Sequence, residues 1–241
     1  MESRKKNFRT MGIVLFYAGF LAGMVLFILM NWAYFEAYFY FGYTAPADMA
    51  LTNLRCPLMM TSAESGQVTA SISNNSDLDL TIPVRTEFSY FGASKLDKVD
   101  YPLAMGQTQN LSWTVTKENM VFGHLILARV FVYSSFTLPS RSATCGTVVV
   151  GLPGLTGIEL FIIVLVFSLV CMAAGWGLWI AGNLPFQAPG LIATRAMAIF
   201  TVAVVLGLIA GYIGWWGLGL ICTVACVLMI FSVGSYYIQK A

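Results

Sequence analysis

The hydrophobic pattern changes its period twice along this chain. Four stretches, at about 12–32, 158–181, 195–213 and 215–237, are nearly unbroken runs of apolar residues. A helix rises about 1.5 Å per residue, so about 20 apolar residues cross a hydrocarbon core of about 30 Å. Each run meets that length, and the pattern predicts four transmembrane helices.

Between the first and second runs, apolar and polar residues alternate. In "LDLTIPVRTEF", Leu78, Leu80, Ile82, Val84 and Phe88 fall on one face and Asp79, Thr81, Arg85 and Glu87 on the other. That is the period of a half-buried strand. "QVTASIS", "QNLSWTV" at 109–115, "HLILARVFVY" at 124–133 and "ATCGTVVV" at 143–150 read as further strands. Turn chemistry separates them at 73–77, 91–98, 105–107 and 137–140.

Six or seven short strands with no convincing helix predict a two-sheet sandwich of broadly immunoglobulin-like layering. The resemblance is to an architecture only, because Trp113 follows Cys56 by 57 residues, too far for the Cys-to-Trp spacing of a true immunoglobulin domain. The expected fold class is thus an α + β membrane protein: four transmembrane helices with an extracytoplasmic all-β, immunoglobulin-like sandwich inserted between helices 1 and 2. Its parts are a basic cytoplasmic N-terminus (1–11), a first helix with an aromatic extension (12–43), the sandwich (44–152) and a three-helix membrane region (153–241).

Composition supports the membrane reading. Hydrophobic residues make up 58% and charged residues 10%, against about 45–50% and about 25% in soluble domains. Arg4, Lys5, Lys6, Arg9, Arg195 and Lys240 all fall on one side of a four-span arrangement, which the positive-inside rule makes the cytoplasm. Both termini are then cytoplasmic and residues about 36–157 extracytoplasmic. The first run exceeds the 7–15 residues of a signal-peptide core and its nearest small-x-small triplet, Ala45-Pro46-Ala47, lies far downstream, so a retained anchor is expected.

The run "WAYFEAYFYFGY" after the first span contains Trp32, Tyr34, Phe35, Tyr38, Phe39, Tyr40, Phe41 and Tyr43 with one acid, Glu36. Amphipathic rings favour the headgroup zone, so an interfacial belt on a continuing helix is expected. Trp215 and Trp216 would mark the same boundary.

Of five cysteines, Cys56 and Cys145 fall in the predicted outer domain, whereas Cys171, Cys222 and Cys226 lie in spans. Only the first two meet oxidising conditions, and a disulfide between them is expected to tie the domain's first strand to its last. A copper site at Cys56, Met59 and Met60 fails on ligand count, since blue-copper geometry needs two histidines and His124 is the only one in the chain. His124 is expected as a packed or edge residue of its strand.

No catalytic constellation is convincing: there is no serine with a base, no placed carboxylate pair and no phosphate-cradling glycine turn. Glu64, Asp77, Asp79, Glu87, Asp97, Asp100 and Glu118 read as a solvated surface. An outer region with seven bases and ten acids from Glu36 to Glu159 does not favour nucleic acid. Between Phe161 and Thr194, and between Ala196 and Gln239, no residue is charged, which disfavours a pump or channel working alone. No cofactor is expected.

Small residues at packing intervals, Gly19 and Gly23, Gly207 and Gly211, and Gly175, are candidate sites of close helix approach, within the chain or against another protein. Asn74 in "NNS" and Asn110 in "NLS" fit the glycosylation pattern. The expected function is a non-catalytic accessory or structural subunit of a larger membrane complex, with the lipid bilayer and other integral membrane subunits as partners. The alternative is a stand-alone cell-surface binding or adhesion protein, its ligand unknown.

Overall fold

A computed structural model of the chain describes residues 2–42, 49–51, 53–90, 93–135, 138–185 and 188–238. The fold is α + β, with four helices: α1 (Glu2–Tyr40), α2 (Gly157–Asn183), α3 (Ala188–Ile213) and α4 (Trp216–Ile238). Three of them, Lys5–Tyr40, Gly157–Asn183 and Gly190–Ile213, contain stretches long and apolar enough to cross a membrane, and Trp216–Phe231 is a shorter apolar stretch. The chain divides into a helical unit, Met1–Asn31 with Phe161–Ala241, and a β unit, Trp32–Leu160.

In the helical unit α1 is the central element. It lies antiparallel to α2, with Gly12 against Trp179 and Gly19 against Ser168 and Met172. It runs parallel to α3, where Phe20 stacks on Phe200 at 4.7 Å and Phe27 lies on Gly207. Phe16, Phe20, Phe27, Met172, Phe200, Val204 and Cys226 form the buried core. Two helix boundaries differ from expectation. The basic segment before residue 12 is already helical, and α3 starts at Ala188, ahead of the apolar run that begins at about 195. Charged and polar residues outside an apolar run still sustain helix, and hydropathy alone does not register it.

Among the described residues the β unit holds nine strands: β1 (Met49–Ala50), β2 (Met59–Thr61), β3 (Gly66–Ser73), β4 (Leu80–Tyr90), β5 (Ala93–Leu103), β6 (Thr108–Val115), β7 (Met120–Val121), β8 (Leu125–Val132) and β9 (Arg141–Val150). The larger sheet has the order β1-β9-β8-β4-β5, with β2 also on β9 and β7 on β8. The smaller sheet pairs β3 with β6. Apolar residues of both sheets meet in a sandwich-like core: Ala70, Ile72 and Leu111 from the small sheet, and Ile82, Val84, Val130 and Val132 from the large one. The added strands β1, β2 and β7 are two or three residues long, too short to show a period.

The turn expected at 91–98 is corrected. Ala93–Leu103 is a full strand, registered on β4 from Tyr90↔Ala93 to Leu80↔Leu103. Residues 91–92 lie outside the described residues. As the edge of the larger sheet, β5 leaves Ser94–Asp100 exposed on both faces, so nothing forces alternation. Its Lys95, Asp97, Lys98 and Asp100 are the charges that keep a free edge from pairing with other chains.

A second correction concerns β4 and β8. Glu87, expected on a solvated face, is buried, and so is its cross-strand neighbour Arg129. The outer face of the larger sheet is covered by the end of α1: Ala33 and Ala37 are fully buried, and the Ala33 carbonyl rests on Gly146 of β9, where a Cβ would have no room. That cover explains why every residue of β8 except Phe131 is buried. His124, expected as a packed or edge residue of its strand, lies exposed in the turn just before β8, its Nδ1 2.6 Å from the Phe122 carbonyl. A carbonyl only accepts, so Nδ1 carries the proton.

Candidate interaction surfaces

Cys56 and Cys145 are joined by a disulfide, with Cα atoms 5.8 Å apart and a sequence separation of 89. Cys145 faces the core from β9, opposite Ala128. Cys56 directly follows Arg55, which bridges Thr69 of β3. The bond therefore ties the larger sheet to the chain segment that pairs with the smaller one. Just beyond it, Glu64 Oε1 accepts from Thr61 N at 2.7 Å and from Gly157 N at 2.9 Å. Gly157 opens α2, and a carboxylate there satisfies an orphan helix N–H and complements the helix dipole. Thr156 and Glu159 add a capping box, with Thr156 N donating to Glu159 Oε2 at 2.8 Å and Glu159 N to Thr156 Oγ1 at 3.3 Å. Glu64 is thus a structural anchor rather than a free surface acid.

The end of α1 has two faces. Ala33, Ala37 and Phe41, at helical spacing, are buried on the sheet. Trp32, Phe35 and Phe39 point the other way and form a ladder of rings, with centroids 5.5 Å apart from Trp32 to Phe35 and 4.6 Å from Phe35 to Phe39. Phe39 is 58% exposed. Phe122 is 61% exposed and stands edge-on to Tyr40 at 6.1 Å. It occupies a left-handed backbone conformation with φ 53° ahead of Gly123 at φ 75°, a pair that fits the tight hairpin turn between β7 and β8. Tyr43 lies outside the described residues. The sheet beneath α1 holds the charged pair: Arg85 bridges Glu87, and Arg129 donates to the Phe41 carbonyl at 3.4 Å.

The small sheet presents a different surface. Gln67, Thr69 and Ser71 of β3 face Thr114, Ser112 and Asn110 of β6. All of these but Thr114 line, with Asn53 and Arg55, a shallow polar groove. Ser112 Oγ donates to Gln67 Oε1 at 2.6 Å, and the Ser73 and Thr108 hydroxyls lie 2.8 Å apart. Asn110 is exposed here. Asn74 is not: it is fully buried, its Nδ2 donates to the carbonyls of Leu78, Leu103 and Ala104, and its Oδ1 accepts from Ser76 N and Oγ. A glycan on Nδ2 has no space in this fold, so the expectation of a site at Asn74 is corrected. Asn74 instead organises the turns joining β3 to β4 and β5 to β6.

In the helical unit the small residues meet their own chain. A Cβ at Gly19 would stand 2.6 Å from Ser168 O, one at Gly23 2.7 Å from Val204, one at Gly207 2.7 Å from Phe27, and one at Gly211 3.0 Å from Met30, while Gly175 lies on the backbone of Phe16. Gly177 has open space. Ser168 Oγ donates to Gly19 O at 2.8 Å, a bond across the α1–α2 seam. Asn31, 5% exposed, is uncharged and so leaves no ionisable signal in the apolar run. Its Nδ2 donates to Phe27 O at 2.7 Å and Gly207 O at 3.1 Å, and its Oδ1 is directed at Gly219 of α4. A single amide thereby touches three helices. Its position in an otherwise apolar run was the available signal.

Among the described residues no three His, Cys, Asp or Glu side chains gather into a possible metal site. Cys171, Cys222 and Cys226 are buried free thiols.

No protein-family model matches the chain, and no curated protein sequence does. Solved structures give partial likenesses. The CARDB domain of the PF1109 protein of Pyrococcus furiosus, in complex with di-metal ions, matches 41% of this chain and 90% of that one at 11% identity and TM-score 0.32. A Listeria innocua β-glucosidase matches 40% of this chain but 15% of its own length, at 20% identity and TM-score 0.30. The Pseudomonas fluorescens alkylpurine DNA glycosylase AlkC matches 41% and 30%, at 15% identity and TM-score 0.30. Similarity at this level assigns neither family nor activity.

Proposed function

We propose that this chain is a multi-pass membrane protein acting without catalysis as an accessory or structural subunit of a larger membrane assembly, its β unit making the protein contacts. All four helices cross the bilayer in this reading. The β unit is an extracytoplasmic, immunoglobulin-like sandwich inserted between helices 1 and 2, and both termini are cytoplasmic. The disulfide supports an oxidising compartment for the sandwich, and the basic residues of the helical unit support the orientation.

The observation that carries the reading is the ring ladder of Trp32, Phe35 and Phe39, exposed at Trp32 and Phe39 and half-buried at Phe35, on a helix whose opposite face is buried. Rigid aromatic side chains supply large contact area at small entropic cost, and they are enriched in protein interfaces. Purification of the full chain in mild detergent followed by mass spectrometry tests this. Stoichiometric membrane subunits that are lost from a Trp32→Ser/Phe39→Ser variant are expected; a clean monomer or homo-oligomer overturns the proposal.

A second reading, a stand-alone surface binding protein, is favoured by a separate observation. The helix-packing glycines are used within the chain's own bundle, and the polar β3–β6 face stands free for a ligand. Under that reading the same purification yields the chain alone.

A further inference from the structure

The helical unit contains six basic residues, Arg4, Lys5, Lys6, Arg9, Arg195 and Lys240, against one acid, Glu2. Lys240 lies outside the described residues, and the side chains of Lys5, Lys6, Arg9 and Arg195 are exposed. Two of these are held in place by the end of α2. Arg9 Nε donates to Gly182 O at 2.8 Å and Lys5 Nζ to Leu184 O at 3.1 Å. The last carbonyls of a helix lack internal partners and carry partial negative charge, so cations settle there.

The same turns of α2 reach the arginine of α3. Trp179 Nε1 donates to Thr194 Oγ1 at 3.2 Å, and Arg195 is the next residue. The last turns of α2 therefore carry the cations of α1 on one side and the Arg195 turn of α3 on another. Among the described side chains none of these four pairs with an acid, whereas Arg85 and Glu87 of the β unit do. Further along the same helices the exposed residues are apolar: Met11, Val14 and Tyr17 on α1, and Ile199 and Val202 on α3. The cations thus stand at the border where an apolar belt ends.

We infer that this basic end of the bundle is a docking surface for the headgroups of anionic phospholipids. The inference rests on the reading that these helices cross a bilayer. Clusters of four or more Lys and Arg beside membrane helices attract anionic lipid. Here the geometry adds preorganisation. After its bond to Gly182, Arg9 keeps both terminal guanidinium nitrogens for a phosphate, and Lys5 keeps further ammonium donors. Among the described side chains no carboxylate competes for them.

The test uses the full chain in non-ionic detergent, offered phosphatidylglycerol and phosphatidylcholine in equal amounts, with retained lipid counted by native mass spectrometry. Preferential retention of phosphatidylglycerol is expected, falling about fivefold for each cation removed. A Lys6→Gln/Arg195→Gln variant, which leaves both carbonyl bonds intact, should lower the preference about 25-fold. A Lys95→Gln/Lys117→Gln variant in the β unit should not change it. Equal retention of the two lipids, or an unaltered preference in Lys6→Gln/Arg195→Gln, overturns the inference. So does displacement of phosphatidylglycerol by inorganic phosphate, which would make the surface a free-anion site. Alkaline extraction of membranes reports separately on the premise: release of the chain would show that the membrane reading itself had failed.

Discussion

The helical unit and the β unit both bury apolar cores but expose different kinds of residue. In the small sheet of the β unit the free face is polar: Gln67, Thr69 and Ser112 lie outside, whereas Val68 lies inside. In the helical unit Asn31, Ser168 and Asn183 are buried while Val166, Phe167, Val202 and Phe231 are exposed. Water rewards removal of apolar surface, which is enough to assemble two sheets. Hydrocarbon gives helices no such drive, so they associate through close backbone approach and internal hydrogen bonds. The glycines at 12, 19, 23, 175, 207, 211 and 219 and the bond from Ser168 to Gly19 supply both. Under the proposed membrane reading, one chain uses two assembly rules, each suited to a different surrounding medium.

The comparison can be broken most forcefully at the disulfide. In a chain-entropy account, a bridge spanning 89 residues contributes about 4–5 kcal/mol. Cys145→Ser is expected to unfold the β unit in denaturant well before wild type while helical circular dichroism persists. Simultaneous loss of both signals would show that the two units do not fold by separate rules. Next in size is Asn74→Ala, expected to destabilise the β unit by about 3 kcal/mol because the carbonyls of Leu78, Leu103 and Ala104 lose their donor. Urea titration followed by tryptophan fluorescence measures it.

In the helical unit, Gly175→Leu should cost about 1–3 kcal/mol by forcing a side chain into the backbone of α1. Its control is Gly177→Ala, which meets open space and should be neutral or stabilise by up to about 1 kcal/mol through helix propensity. Unfolding in a denaturing detergent, read by circular dichroism, separates the two. Equal effects at 175 and 177 would refute backbone approach as the organising contact. The smallest destabilisation is expected for Asn31→Leu, about 1 kcal/mol, typical of a hydrogen bond between membrane helices.

How much could be read beforehand differs between the units for physical reasons. The cysteine pairing follows from compartment and count, and the glycine positions from spacing. The partners of those glycines do not: whether Gly207 meets Phe27 of this chain or a helix of another protein depends on how α1 and α3 pair. The burial of the polar, outer face of β4 is not legible in the sequence, because alternation predicts two faces but not what covers each. Glu87 and Arg129 are buried by the end of α1, which precedes them by about fifty residues and more. Strand β5 escaped notice because an exposed edge imposes no pattern.

By itself the sequence determined the periods: apolar runs of bilayer length, alternating segments between them, a lone oxidisable cysteine pair and a one-sided distribution of cations. Those properties are local, because the direction of a side chain repeats with the geometry of its own helix or strand. Tertiary structure decided the pairings: Cys56 binding across two sheets, Asn74 becoming a buried organiser rather than a glycan acceptor, Asn31 joining three helices, and the end of α1 leaving a ladder of aromatic rings uncovered. Each depends on residues far apart in the chain. Which of them meet is settled by the free energy of the whole packed arrangement, not by the pattern of any one segment.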